Sequence, residues 1–399
     1  MSQPPGRNLV VCCDGTSNEF ADTKTNVVRL VQALEQHPDS QQVYYDPGVG
    51  TLPESGLFSS AAKTVSRWIG LAFGAGLVKN VEEAYTFLMN AWRPGDKVFL
   101  FGFSRGAYTV RVLAGLLRQL GLLSPGQEQL IPYAIRLYRA TPDRDRASEK
   151  DKSRYWRLSG EFRNTFAQPI PGRGTRSFPV HFLGVWDTVS SVGWVWSPKR
   201  FAYTAENDCV AGVRHAVALD ERRGFFRQNL FHPVPAGAGG SGQDLVERWF
   251  AGCHSDIGGG HAEQCGALWR VAFDWMVDEA VAAGLRMDQA RLQQLRSKPK
   301  LVGEPWTEAT NESLTWKWVL PEFWPKLSYS QRWKRNLPSA GLFHRRKTAG
   351  AVLHESVLRR IRNGQGYRPL NLPPDLIQQI LDLPDVAPGA TVTVPRTTR

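Results

Sequence analysis

A serine between two glycines, Gly102-Phe103-Ser104-Arg105-Gly106, follows the apolar run Lys97 to Phe101 and precedes an amphipathic stretch from Ala107 to Leu120. Strand, tight turn and helix in that succession make a nucleophile elbow. The turn strains the serine backbone and the flanking glycines let strand and helix approach closely. A serine hydroxyl is a weak nucleophile at neutral pH, so it needs a neutral imidazole to take its proton and a carboxylate to orient that imidazole. Asp187 in Trp186-Asp187-Thr188 and His254 in Cys253-His254-Ser255-Asp256 both follow strand-like apolar runs directly. The chemistry such a set supports is acyl transfer from an ester, with no cofactor required.

The chain order Ser104, Asp187, His254 is that of the α/β-hydrolases, not of the other two well-known serine hydrolase folds. Other residues compete for the same roles. His354, in Leu353-His354-Glu355, lies C-terminal to Asp187 and is the rival base. Asp256 could orient the imidazole, although two residues from His254 it is better placed to hold the loop. For the oxyanion, the backbone N–H of Arg105 at the helix start is one expected donor. The turn Asp14-Gly15-Thr16 after the first strand offers a second, from Gly15 or Thr16, unless Asp14 simply caps that turn through its own backbone. Asp14, Asp46, Asp187 and Asp256 would also suit a hard cation, but no matched ligand spacing accompanies them and no metal is expected.

Groups drawn from distant parts of the chain converge when they sit at the carboxyl ends of neighbouring parallel strands. Apolar runs at Leu9 to Cys13, Gln42 to Tyr45, Lys97 to Phe101, Val180 to Trp186 and Glu247 to Cys253 predict those strands. Helical stretches at Thr25 to Gln36 and about Val78 to Trp92 alternate with them, which points to a mainly parallel sheet covered on both faces. The segment holding Gly70, Gly74 and Gly76 reads equally as a flap over a pocket or as a helix start. Residues 121–176 form a helical insertion. The expected organisation is a catalytic core over 1–290, a helical, Trp-rich cap over 291–383 packed on it, and a loose Pro- and Thr-rich tail over 384–399.

The 399 residues, 42% of them hydrophobic, are ample for a large buried core. No run of eighteen apolar residues spans a membrane and no secretory signal opens the chain, so a cytoplasmic protein is expected, exported only by a signal-independent route. Five cysteines (Cys12, Cys13, Cys209, Cys253 and Cys265) show no zinc-type pairing and read as reduced thiols. The net charge of +12 would favour anionic surfaces. Arg345-Arg346-Lys347 and Arg359-Arg360-Ile361-Arg362 are the basic clusters, and no nucleic-acid motif accompanies them, so nucleic acid is not an expected partner. With the tryptophans at 306, 316, 318, 324 and 333 they suit a lid that touches an anionic membrane surface.

Cys13-Asp14-Gly15-Thr16, Gly102 to Ala107, Gly184-Val185-Trp186-Asp187-Thr188-Val189, Leu219-Asp220-Glu221-Arg222-Arg223 and Gly252 to Gly260 stand in the order of a known motif series. They resemble the DUF2235 family, which includes the catalytic domain of the Tle1 class of type VI secretion lipase effectors. The resemblance runs from about Leu9 to Gly260. It implies an α/β-hydrolase-like fold and esterase or phospholipase A activity, with Ser104 as nucleophile and an Asp and a His completing the triad. A lipid or other ester substrate and a secretion-system or immunity partner follow as expectations. The competing readings are a hydrolase of a non-lipid ester, amide or thioester, and a binding protein that keeps the fold without catalysis.

Overall fold

The computed structural model describes residues 6–15, 23–48, 72–142, 147–172, 174, 177–189, 193–194, 197–198, 201–223, 226, 228–234, 242–262, 266–297, 304–314, 326–327, 333–334, 346–363 and 366–396. Eight segments pair into one sheet: β1 (Asn8–Cys13), β2 (Gln41–Asp46), β3 (Lys97–Phe103), β4 (Val180–Trp186), β5 (Val210–Ala218), β6 (Asp244–Phe250), β7 (Val352–Leu353) and β8 (Val392–Thr393). Their spatial order is β2-β1-β3-β4-β5-β6-β7-β8. Every neighbouring pair is parallel except β7 with β8. The fold is α/β-hydrolase-like, with helices on both faces of the sheet.

Both faces are apolar because both are covered. Along β1 the side chains alternate: Leu9, Val11 and Cys13 join a core with Val81, Tyr85 and Leu88 of α2 (Ala72–Ala91) and Leu113 and Leu117 of α3 (Arg105–Leu120). Val10 and Cys12 point the other way, into a core with Val27 and Leu30 of α1 (Asn26–Ala33) and Phe273 and Met276 of α7 (Trp269–Ala282). This is why β1 reads as an unbroken hydrophobic run. The insertion after α3 is helical as expected, with α4 (Ile131–Arg139) and α5 (Glu149–Phe166). Ser148 starts α5 by accepting the N–H of Asp151.

Strand β5 is central, yet its sequence Val-Ala-Gly-Val-Arg-His-Ala-Val-Ala carries two basic groups and gave no strand signal. The structure gives both a partner: Arg214 pairs with Asp244 and Glu279, and His215 Nδ1 lies 2.7 Å from a Glu247 carboxylate oxygen. Helix α2 starts at Ala72 and runs through Gly74 and Gly76, so from residue 72 the glycine-rich segment is the beginning of a helix. Gly70, Trp316, Trp318 and Trp324 lie outside the described residues.

The expected loose tail is incorrect. Val392–Thr393 pairs antiparallel with Val352–Leu353, and Val386 and Val394 are buried. The preceding segment is part of the main sheet as well. Leu353 lies beside Trp249 of β6 in parallel register, and α9 (Glu355–Asn363) and α10 (Pro374–Leu381) place Val357, Leu358, Ile361, Leu376 and Ile380 in a core shared with Val217 and Trp249. The 346–396 region thus extends the sheet at the β6 edge, because a two-residue strand supplies enough pairing when helices bury its apolar side chains. A chain ended at Pro384 is expected to lose a few kcal/mol in urea unfolding, about 1.5–3 for each buried valine removed. A loose tail would leave the midpoint unchanged.

Candidate active site

Ser104 sits between β3 and α3 with φ 58° and ψ −117°. Among the described residues only three non-glycine positions have positive φ, and two of them are Ser104 and Asp187. Strain of this kind persists only where surrounding contacts fix it. At Ser104 they do: its N–H donates to Trp186 O at 3.1 Å, and its carbonyl accepts from Val189 N at 3.2 Å. The glycines on each side have no alternative. A Cβ on Gly102 would lie 2.6 Å from the backbone of Gly106 and Ala107, and one on Gly106 would lie 2.1 Å from Cys13 O.

Asp187 follows β4 with φ 38°, its N–H donating to Ala216 O at 2.7 Å. His254 opens the short helix α6 (His254–Gly258) after β6. The strand ends bring these residues together: His254 Nε2 is 2.8 Å from Ser104 Oγ, and Nδ1 is 2.6 Å from Asp187 Oδ2. Phe103 and Phe226 flank the imidazole at centroid distances of 4.6 and 4.9 Å. Burial lowers the pKa of His254, opposed by Asp187 and assisted by Arg223, with the net direction downward. That direction favours the neutral ring a general base needs.

One residue that completes the arrangement was read in the sequence as part of a surface basic cluster. Arg346, fully buried, grips both oxygens of Asp187: Nη1 donates to Oδ1 and Nη2 to Oδ2 at 2.9 Å. The same guanidinium donates to Ala218 O at 3.1 Å and Phe226 O at 2.6 Å, while Ala218 N donates to Asp187 Oδ1 at 2.9 Å. Burial alone would raise the Asp187 carboxyl, but Arg346 and His254 outweigh it and hold it well below the carboxylate range. Arg360 of the second cluster is turned inward too, donating to Trp306 O and Glu308 O. Arg346 and Arg360 are thus buried, whereas Lys347 is exposed, Arg359 and Arg362 are half-buried, and Arg345 lies outside the described residues. Glu221 is a further support, accepting the His254 N–H at 3.1 Å and both arms of Arg223 at 2.9 Å. Burial works against its charge, and Arg223 nevertheless holds its pKa at about 2.

The rivals are accounted for elsewhere. His354 stacks on Phe250 and bonds Ser356 Oγ through Nδ1 at 2.9 Å, while burial and the nearby Arg248 and Arg359 push its pKa down to about 4. It lies between β7 and α9, beyond β6 in the sheet order, and does not meet Ser104 or Asp187. Asp256 closes a capping box on α6 by accepting Cys253 N at 2.9 Å, and it also accepts both N–H groups of Asn311. Asp14 holds its own turn: Oδ1 accepts Gly15 N at 2.7 Å and Oδ2 accepts Thr25 Oγ1 and the Tyr45 hydroxyl. Gly15 therefore directs its N–H into that carboxylate and not into open space, contrary to its nomination as an oxyanion donor. Thr16 is outside the described residues, and Arg105 occupies the first position of α3 directly after the serine.

A family profile described as the T6SS phospholipase effector Tle1-like catalytic domain matches residues 7–279. The chain belongs to that Tle1-like family. An uncharacterized protein of Saccharomyces cerevisiae, YEL023C, is 36% identical over 237 residues, 58% of this chain and 33% of that protein. A solved structure of an uncharacterized Pseudomonas aeruginosa protein aligns over 72% of this chain and 47% of its own, at 19% identity and TM-score 0.38. The Tle1 effector bound to the VgrG spike of the type 6 secretion system aligns over 65% and 52%, at 17% identity and TM-score 0.34. The chain thus spans a third to about half of the length of these proteins. Arg346 lies beyond the segment the Tle1-like profile matches.

Replacing Arg346 by Met strands a buried carboxylate and is expected to cost about 3–5 kcal/mol in denaturant unfolding. Adding Asp187→Asn should recover a large part of that loss, because both charges are then gone. Additive losses would show that the pair does not interact.

Proposed function

We propose that the chain is a serine hydrolase of carboxylic esters whose substrates are phospholipids. The single observation that carries the hydrolase reading is the hydrogen-bonded chain from Ser104 through His254 to Asp187, anchored at a strained strand-to-helix turn. Membership of the Tle1-like phospholipase effector family supports the substrate class.

In this reading Ser104 Oγ attacks the ester carbonyl while His254 Nε2 takes its proton, and Asp187 stabilises the imidazolium through Nδ1. The oxyanion forms beside the first turn of α3, where the N–H of Arg105 is the proposed donor. His254 then protonates the leaving alcohol, and water repeats the sequence on the acyl-enzyme to release the fatty acid. Arg346 keeps Asp187 ionised and in place, and Glu221 fixes the backbone at His254, so both are positioning residues.

Among the described residues no helix is long and apolar enough to cross a membrane. Access to lipid in this reading is from the membrane surface, and a secretion-system partner would deliver the protein, as the family's effector function suggests.

A fluorophosphonate should label the folded wild-type chain and not Ser104→Ala, and the labelled site should map to Ser104. On phosphatidylglycerol–phosphatidylethanolamine vesicles the wild type should release free fatty acid, with His254→Ala slower by about a thousandfold or more. Failure of a folded wild type to label would sink the serine hydrolase reading. Labelling with hydrolysis of short acyl esters but no release from vesicles would replace phospholipid by another ester.

A further inference from the structure

Around the short helix α6 that carries His254, three more potential ligands meet. Cys253 Sγ is 3.8 Å from His261 Nε2, His261 Nε2 is 3.7 Å from Asp256 Oδ1, and all three ligand atoms lie within 4.8 Å of one another. Both nitrogens of His254 are engaged by Asp187 and Ser104, so His254 is not a member of this group. We propose that Cys253, Asp256 and His261 form a binding site for a single Zn²⁺-class divalent ion that pins the loop carrying His254.

The dimensions fit. A tetrahedral zinc with one thiolate, one imidazole and one carboxylate ligand, at about 2.0–2.3 Å each, sets its ligand atoms roughly 3.3–3.6 Å apart. Two of the three separations here exceed that by only a few tenths of an ångström, so small side-chain rotations close the site. The donor set, soft sulfur with borderline nitrogen and one oxygen, selects zinc over magnesium or calcium. Three protein ligands leave a fourth position for water.

The backbone explains why the ligands meet. Cys253 is the N-cap of α6, and Asp256, three residues on, returns its carboxylate to the Cys253 N–H. Three glycines then reverse the chain. Gly258 has no room for a Cβ against the Phe103 ring, and Gly259 and Gly260 have φ of 78° and 102°. The reversal brings His261 back over Cys253. Asn311 braces the carboxylate from outside by donating its backbone and side-chain N–H groups, the kind of support that orients a metal ligand.

Cys253 is buried, and burial raises its thiol pKa, so the free chain holds a neutral thiol. Binding would deprotonate it outright, with one proton released to solvent for each ion bound. His261 is about one-third exposed, its side chain at 32%, and provides the entry route.

Cobalt(II) tests the site without reference to hydrolysis. Titrated into the reduced, metal-stripped chain, one equivalent should produce the thiolate-to-cobalt absorption in the near ultraviolet and the visible bands of tetrahedral cobalt, and Zn²⁺ should bleach both. Cys253→Ser should abolish the near-ultraviolet band. The partly exposed His261→Gln keeps the fold, which circular dichroism checks, and should weaken Co²⁺ binding beyond the roughly 10–100-fold that loss of an outer-shell partner costs. No thiolate band in the wild type, or a band and affinity unaltered in both folded variants, would overturn the proposal.

Discussion

A carboxylate with almost no access to water is the constraint around which this molecule is arranged. An unpaired charge at the Asp187 position would be expelled or neutralised, so its oxygens must be met by donors of fixed geometry. Those donors come from three places: the bidentate guanidinium of Arg346, the N–H of Ala218 at the end of β5, and the His254 ring after β6, while Phe226 O accepts from the guanidinium and steadies it. The requirement ties the carboxyl ends of β4, β5 and β6 to a residue that precedes β7. It makes the C-terminal segment structurally part of the site even though it lies outside the residues that the Tle1-like profile matches.

The same arrangement explains the strain at the neighbouring position. Trp186 O receives the N–H of Ser104, and Ser104 O receives the N–H of Val189, so the elbow and the Asp187 turn brace each other. Both adopt positive φ at non-glycine residues, which local preference alone would reject. Glycine at 102 and 106 makes the close approach of β3, α3 and the end of β1 feasible. Local sequence, backbone strain and buried charge thus converge on one edge of the sheet.

Much of this was legible in advance. The strands that precede Ser104, Asp187 and His254 end in apolar residues, and the glycine-flanked serine announces its turn, so fold class and the three converging side chains could be read from order and position. What escaped has physical causes. Strand β5 hides behind Arg214 and His215, polar side chains whose partners are distant in sequence. Arg346 is 159 positions from Asp187 and looked like any basic residue in a cluster, because a buried salt bridge leaves no periodic signal. His354 and His254 both follow apolar runs at strand ends, and only the three-dimensional order of β6 and β7 separates the imidazole facing Ser104 from the one stacked on Phe250. The short β7–β8 pair was invisible since two-residue strands carry no alternation.

The central claim is that a permanently ionised Asp187 holds the His254 proton on Nδ1 and leaves Nε2 free to accept from Ser104. Nitrogen-15-edited NMR of the ring at neutral pH measures this directly. The account predicts a neutral imidazole with a protected, strongly downfield Nδ1 proton that vanishes in Asp187→Asn. A proton found on Nε2 instead, or an Nδ1 proton exchanging as freely as in an exposed histidine, would contradict it.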